Sequence, residues 1–376
     1  MNQNDIAQAR LANQRLTATT FTTAAEVVVW LVAVQAQEVA GAKAALGLRA
    51  RGLDEAAVER AFAAGEILRT HVLRPTWHFV APADIRWLLK LTAPRVHQVN
   101  GSMYRRLELN EGTLRHCADV ITGALQGRRA LTRDQLRDAL AAAGIATTGG
   151  TDRDGQRLAY IVMWAELEGL IVSGPRLGKQ FSYMLLDERT PAGGPFDRDA
   201  ALAELAGRYM SSHGPATAAD FANWSGLTLS DARRGIAAAR PALLNEEVEG
   251  QTYWFADAPL PPPAPTPTAY LLSIYDETII GYRDRSAIVS AEDGARLGTM
   301  GNALQNVIVL DGRIVGTWRR TLGKDTLGVE LNPFRALSAA EGAAIVVAQE
   351  QLVGFYGLRS DSSLTSVTTS STGHSL

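Results

Sequence analysis

Three times before a proline-rich break at residues 259–267, the chain runs through two or three helices and into a short β-rich pair. That recurrence leaves two architectures: a tandem array of small helix-and-hairpin units, or a mostly helical fold carrying three hairpins. The third copy is the most legible. Residues 200–211 are apolar at helical spacing and end at His213-Gly214-Pro215. Thr217 reads as an N-cap for residues 218–224, Gly226 makes a turn, and Ser230 reads as the cap of a further helix over 231–240. Residues 248–255 then form a hairpin about Gly250. Helix, helix, tight turn, helix and hairpin is the order of a winged helix-turn-helix unit.

The second copy spans about residues 117–186. Thr132 and Gln135 have capping-box spacing for a helix through Ala143, which Gly144 stops. A second helix covers 158–167, and strands at 170–172 and 181–186 flank a basic Gly-Pro-Arg-Leu-Gly-Lys turn. The first copy, over about 16–80, diverges most. Thr23 and Glu26 again have capping-box spacing, the helix is expected over 27–34, and 73–80 has strand character. Residues 259–268 read as a stiff linker. Beyond it lie short strands at 269–273, 306–310, 313–319 and 326–331 and a helix at 338–355, spacings that fit a small barrel or half-barrel. The Ser/Thr-rich residues 358–376 read as a disordered tail. The expected chain is therefore α+β: units at 5–115, 116–190 and 198–258, the linker, and a small C-terminal β-barrel at 269–357.

At 376 residues, 46% apolar and 20% charged, the composition is that of a soluble globular protein of about two or three units. No apolar run is long enough to span a bilayer, and the first 14 residues are not signal-like. Cys117 is the single cysteine and has no internal partner, so a reducing cytoplasm is expected. The net charge of −2 argues against a protein that coats nucleic acid. Yet Lys43, Lys90, Lys179 and Lys324 are the only lysines, and the remaining cations are arginines, suited to bidentate phosphate contact.

Chemistry is concentrated at Val34-Gln35-Ala36-Gln37-Glu38. Two glutamines at i and i+2 share a face only if the backbone there is extended. Their neutral amides cannot serve as strong bases, but they can orient a water and aim carbonyl dipoles at a developing cation. That suits cleavage of a bond whose leaving group is already activated. The same residues can equally be polar caps at a helix end. No histidine pair has HxxxH or HxH ligand spacing, and no P-loop, GxSxG or dinucleotide fingerprint occurs, so neither metal nor cofactor is expected. Lys43 alone lies near the glutamines, and nothing motivates a Schiff-base step.

Two further segments are dense in charge. Residues 275–285 carry Tyr275, Asp276, Arg283 and Arg285, and read either as a DNA-facing segment or as an ion-paired interdomain contact. Residues 313–331 form two strands with Trp318, Arg319, Arg320 and Lys324 at or near their turn. This basic hairpin can clamp phosphates, or can simply be a charge-protected edge.

Five segments in order and in register resemble the AlkZ/AlkX winged-helix DNA glycosylases. They are Leu-Val-Ala-Val-Gln-Ala-Gln-Glu at 31–38, Arg-Pro-Thr-Trp-His-Phe-Val at 74–80, the Arg-Tyr-Met…His-Gly-Pro-Ala-Thr…Asp-Phe-Ala-Asn-Trp-Ser-Gly-Leu run at 208–227, Tyr-Asp-Glu-Thr-Ile-Ile-Gly-Tyr-Arg-Asp-Arg at 275–285, and Val-Leu-Asp-Gly-Arg-Ile-Val-Gly-Thr-Trp-Arg-Arg at 309–320. The resemblance covers about residues 5–357. It implies three tandem winged-helix units and a C-terminal β-barrel shaping a concave DNA surface. It also implies a catalytic Gln-x-Gln motif at Gln35 and Gln37, with Thr76 and His78 supporting it. Aspartate at the second position marks the AlkX branch, so Gln37 places the resemblance with AlkZ-like, self-resistance enzymes. Pro75 departs from the glycine of the family's Arg-Gly-Thr-x-His pattern.

The implied activity is monofunctional excision of bulky N7-alkylated purines, as monoadducts, interstrand crosslinks or both. The implied partner is double-stranded DNA, bound by a monomer in the cytoplasm, with no membrane involved. The rival expectations are a non-catalytic winged-helix regulator and a protein that sequesters the genotoxic drug itself.

Overall fold

The computed structural model describes residues 1–147, 155–257, 266–299, 305–361 and 366–367. Helix α1 (Gln3–Asn13) precedes the first unit, which comprises α2 (Ala24–Leu31), β1 (Ala33–Gln35), α3 (Val39–Gly47), α4 (Glu55–Ala64), β2 (Leu68–His71) and β3 (Trp77–Val80). The 22-residue helix α5 (Ile85–Arg106) leads to the second unit: α6 (Glu111–Leu125), β4 (Leu131–Thr132), α7 (Arg133–Ala142), α8 (Gln156–Leu167), β5 (Ile171–Leu177), β6 (Gln180–Leu185) and the single turn α9 (Leu186–Arg189). The third has α10 (Arg198–His213), α11 (Ala218–Ser225), α12 (Leu229–Ala239), β7 (Leu243–Val248) and β8 (Gln251–Ala256).

The three units share one topology. Helix, short strand, two helices and a hairpin follow in order, and the sheets of the first two are ordered β1-β3-β2 and β4-β6-β5. In the third, the leading strand shrinks to a single bridge between Ala216 and Trp254. The expected capping boxes form at Thr23/Glu26 and Thr132/Gln135, and the expected N-cap Thr217 also closes a box, with Asp220. Other boundaries move. Helix α6 starts after its Asn110 cap and runs across the expected 115/116 boundary. Thr228, not Ser230, caps α12, because its side chain reaches the Asp231 N–H. Helix α2 ends at Leu31 rather than near 34, where Val32 at φ +70° turns the chain into β1.

After the third unit come β9 (Ala269–Leu272), the one-turn α13 (Glu277–Ile280), α14 (Ala291–Thr299), β10 (Val307–Leu310), β11 (Arg313–Leu322), β12 (Thr326–Pro333) and α15 (Ala339–Tyr356). The strands form one sheet, β13-β12-β11-β10-β9, with β13 (Arg359–Ser360) and β14 (Ser366–Val367) both parallel to β12. Its two ends, β9 and β13, do not pair, so the expected barrel is a curled half-barrel with α15 against it. The expected disordered tail is corrected in part: these two short segments pair through their backbone with the free edge of β12. The rest of that tail, and linker residues 258–265, lie outside the described residues.

The cores tie the units together. One joins the first unit to the half-barrel and α15, including Leu31, Val34, Phe62, Phe79, Trp318 and Phe355. A second joins the other face of the β1-β3-β2 sheet to α5, α10 and α11, and buries Tyr209, Phe221 and Trp224. The second unit keeps a separate core around Leu114, Ile121, Leu136 and Ile161. Each fully buried large apolar side chain contributes about 1.5–3 kcal/mol, so the first sheet is held from both faces. Rigidity on both sides is what a positioned active site needs.

Candidate active site

Gln35 closes β1, the edge strand of the first sheet, directly opposite His78. An edge strand leaves backbone donors unpaired. Here the Gln35 N–H is answered by the buried Glu277 carboxylate, at 2.9 Å. The Gln35 side chain, 7% exposed, accepts a 2.8 Å hydrogen bond from Nη2 of Arg74 on its Oε1. A guanidinium only donates, so this contact fixes which end of the amide faces Arg74 and sends the NH₂ the other way. Gln37 is exposed, and its Oε1 accepts a long contact from the Trp77 N–H at 3.5 Å. Between them Ala36 is fully buried, with its N–H on the Trp77 carbonyl and its own carbonyl taken by Arg69. The backbone is therefore extended through Gln35, whereas Gln37 stands in the bend between β1 and α3 and is exposed.

His78 sits in the middle strand, flanked across the sheet by Gln35 and Thr70. It is fully buried, and its Nδ1 donates to the Thr76 carbonyl at 2.9 Å, which leaves Nε2 as the bare acceptor. Burial first, then the neighbouring Arg74, holds its pKa well below 6.5. His78 is thus a neutral imidazole. Its Nε2 and the hydroxyls of Thr70 and Thr76 are buried without a protein hydrogen-bond partner.

The β2–β3 turn positions Arg74. Leu73 adopts φ +64°, its N–H is held by Thr92 Oγ1, and Gly226 at the end of α11 presses against its carbonyl. A Cβ at Gly226 would lie 2.2 Å from that oxygen, and φ there is +69°, so only glycine fits. The turn donors come from Arg74 and Thr76, on either side of Pro75, so the proline in place of the family glycine is accommodated. Residues 73–76 therefore belong to a turn, and β2 (Leu68–His71) is the strand that sequence patterning missed.

Of the residues expected to face DNA, two are corrected by burial. Asp276 is 1% exposed and forms a bidentate pair with Arg49, and Trp318 is 2% exposed with Nε1 on the Leu272 carbonyl. Both are spent on the junction between the first unit and the half-barrel, so neither reaches solvent. Tyr275 is half-buried at φ +65°, and half-buried Arg285 spends its Nε on the Ile279 carbonyl. Arg320 joins Tyr356 and lies 3.6 Å from Glu38, which ties the β11–β12 hairpin to the glutamine segment. Arg283, Arg319 and Lys324 are exposed. Arg74, Glu277 and Trp224 were not singled out from the sequence. A carboxylate inside the apolar run Glu-Thr-Ile-Ile, where charge is costly unless paired, was the available signal for Glu277.

The buried histidines predict a pH dependence. His213, like His78, is held below 6.5 chiefly by burial. A depressed pKa costs nothing above about pH 6.5, where both states are neutral; below it the unfolded chain takes up protons that the fold refuses. Stability is therefore expected to fall as pH drops from about 7 to 5, and less steeply in His78→Asn. Thermal melts across that range check this, and equal slopes in the two proteins would contradict it.

Among the described residues no helix is long and apolar enough to cross a membrane, and no three His, Cys, Asp or Glu side chains cluster as metal ligands. What the site offers is one oriented amide beside one exposed amide, a neutral imidazole and a guanidinium, all carried by the first sheet and its adjoining turns. A family model described as DNA glycosylase AlkZ-like matches residues 28–355, a span that contains every one of these groups. The class is therefore an enzyme that acts on DNA, a glycosylase. More particularly, the chain belongs to the AlkZ-like DNA glycosylase family. It is 25% identical over 318 residues to an interstrand DNA cross-link repair glycosylase of Streptomyces sahachiroi, covering 82% of this chain and 85% of that relative. Its fold is similar to the solved structure of Streptomyces sahachiroi DNA glycosylase AlkZ, with a TM-score of 0.80 at 22% identity over 98% of this chain and 100% of that one.

Proposed function

We propose that this glycosylase hydrolyses the N-glycosidic bond of bulky N7-alkylated purines in duplex DNA, as monoadducts, interstrand crosslinks or both, in self-resistance to a genotoxic natural product. Gln35 and Gln37 are the catalytic pair, supported by Thr76 and His78. The observation that carries this reading is the Gln35 amide, locked by Arg74 beside a neutral His78, with Gln37 exposed two residues on.

An N7-alkylated purine is already cationic, so its departure needs no strong acid, and His78 held neutral supplies none. Water oxygen bonds to C1′ as the C1′–N9 bond breaks. The bonding pair neutralises the base, and one water proton passes to solvent. In this reading the exposed Gln37 carbonyl orients that water and faces the oxocarbenium-like sugar, while the Gln35 NH₂, the end turned away from Arg74, donates to the water oxygen. The relative's name as a cross-link repair enzyme supports including crosslinks.

The three repeated units act as winged helix-turn-helix modules, which their shared order supports. Monomeric protein is expected to release free modified base from duplex oligonucleotides bearing an N7-alkylguanine, and none from unmodified duplex. Binding of the modified duplex with no base released would overturn the enzymatic reading.

Exposed Arg319 and Lys324 on the hairpin contact phosphates in this reading. Arg319→Ala with Lys324→Ala is expected to weaken duplex binding and flatten the salt dependence of log K by roughly 2. An unchanged slope would remove the hairpin from the DNA interface.

A further inference from the structure

Glu277 and Arg74 meet at Gln35 from different parts of the fold. Glu277 stands on α13 and accepts the Gln35 backbone N–H at 2.9 Å, while Arg74, from the β2–β3 turn, donates to the Gln35 side-chain oxygen at 2.8 Å. The other Glu277 oxygen is already engaged, accepting from Trp224 Nε1 at 2.9 Å, with His213 Nε2 at 3.4 Å. With both oxygens occupied and no exposure, Glu277 cannot take a proton from water or touch DNA.

Its carboxylate acts on Arg74 through space. Burial lowers the Arg74 pKa, and nearby Glu277 opposes that. An uncompensated guanidinium at this place would repel the positive charge that grows on the sugar as the base leaves. Arg74 is useful for fixing the amide and harmful as a charge. Glu277 removes the harm.

We propose that Glu277 and Arg74 form a charge-balanced clamp that positions Gln35, the arginine orienting its amide and the carboxylate holding its backbone and cancelling the arginine's charge. Both are positioning residues, and the proposal rests on the reading that Gln35 is catalytic.

Charge balance makes a prediction that a purely structural role does not. Glu277→Gln leaves net positive charge and is expected to slow single-turnover base release from an N7-methylguanine duplex by roughly tenfold to a hundredfold, with duplex affinity unchanged. Adding Arg74→Gln restores neutrality, and its amide still donates, so the double variant is expected to be faster than Glu277→Gln alone. A wild-type rate in Glu277→Gln, or a double variant as slow as the single one, would overturn the clamp. Should Glu277→Gln fail to fold by circular dichroism, Arg74→Met against Arg74→Gln carries the test. Both remove the charge, but only glutamine can hold the Gln35 oxygen, so the methionine variant is expected to be slower and equal rates would overturn the clamp. Gln35→Ala is run alongside. Full activity there would sink the catalytic reading of Gln35, whereas an inactive Gln35→Ala beside an unaffected Glu277→Gln would sink the clamp alone.

Discussion

Replacing Gln35 and Gln37 together with alanine is expected to cut base release from an N7-alkylguanine duplex by at least about a hundredfold, with the fold and DNA affinity retained. The magnitude follows from what single aligned site dipoles contribute, roughly 10²–10³ in rate each. The structure favours unequal shares. Gln35 is 7% exposed and its amide is fixed by Arg74, so it acts without reorganising. Gln37 is exposed and only loosely held by the Trp77 N–H at 3.5 Å, so it must order when substrate arrives. Gln35→Ala is therefore expected to be the more damaging single change, lowering the rate of the chemical step. Gln37→Ala is expected to weaken the response to bound lesion. Single-turnover rates of abasic-site formation measure both, and an active double variant would end the assignment of these two residues.

The largest stability effect is expected at Arg49. Its five N–H groups are all used inside the protein. Two go to Asp276 at 2.8 Å each, and the others reach Gln14 Oε1, the Gln14 carbonyl and the Ala45 carbonyl at 2.9–3.1 Å. Burial pulls the Arg49 pKa down, but Asp276 pushes it up further, and the net shift is upward. For Asp276 burial pulls upward, Arg49 downward, and the carboxylate ends below its ordinary value. Both members are charged in the dry junction between α3 and α13. Arg49→Met leaves Asp276 ionised and unpaired, and breaking a buried pair in this way costs about 3–5 kcal/mol. Urea unfolding is the measurement, and a loss under about 1 kcal/mol would contradict this account. Because Asp276 adjoins Glu277, the variant is also expected to loosen the Gln35 backbone anchor and slow catalysis.

Much of the secondary structure is legible locally. Capping boxes at Thr23, Thr132 and Thr217, and the Gly-centred turns, depend on residues three or four apart. Errors appear where a tertiary contact overrides the local pattern. Residues 27–34 look helical throughout, yet Val32 turns the chain so that 33–35 can pair with β3. The hydrophobic pattern of 73–80 hides a turn that Gly226, 153 positions beyond Leu73, holds in place. Asp276 and Trp318 look like surface groups because an acid beside aromatics, or a tryptophan beside two arginines, carries no local mark of burial. Their partners Arg49 and Leu272 are reached only through the fold.

The sequence by itself determined the repeated units, the α+β class, the half-barrel's strands and the Gln35–Gln37 spacing, because each depends on short-range periodicity, capping or turn chemistry. Only the tertiary structure decided what the glutamines stand among. Arg74 and Glu277 lie 39 and 242 residues from Gln35 along the chain, and chain-distant hydrogen bonds of that kind leave no periodic trace. The physical reason is desolvation: charges are tolerated inside a fold only where complementary groups from other segments meet them, and that meeting is a property of packing.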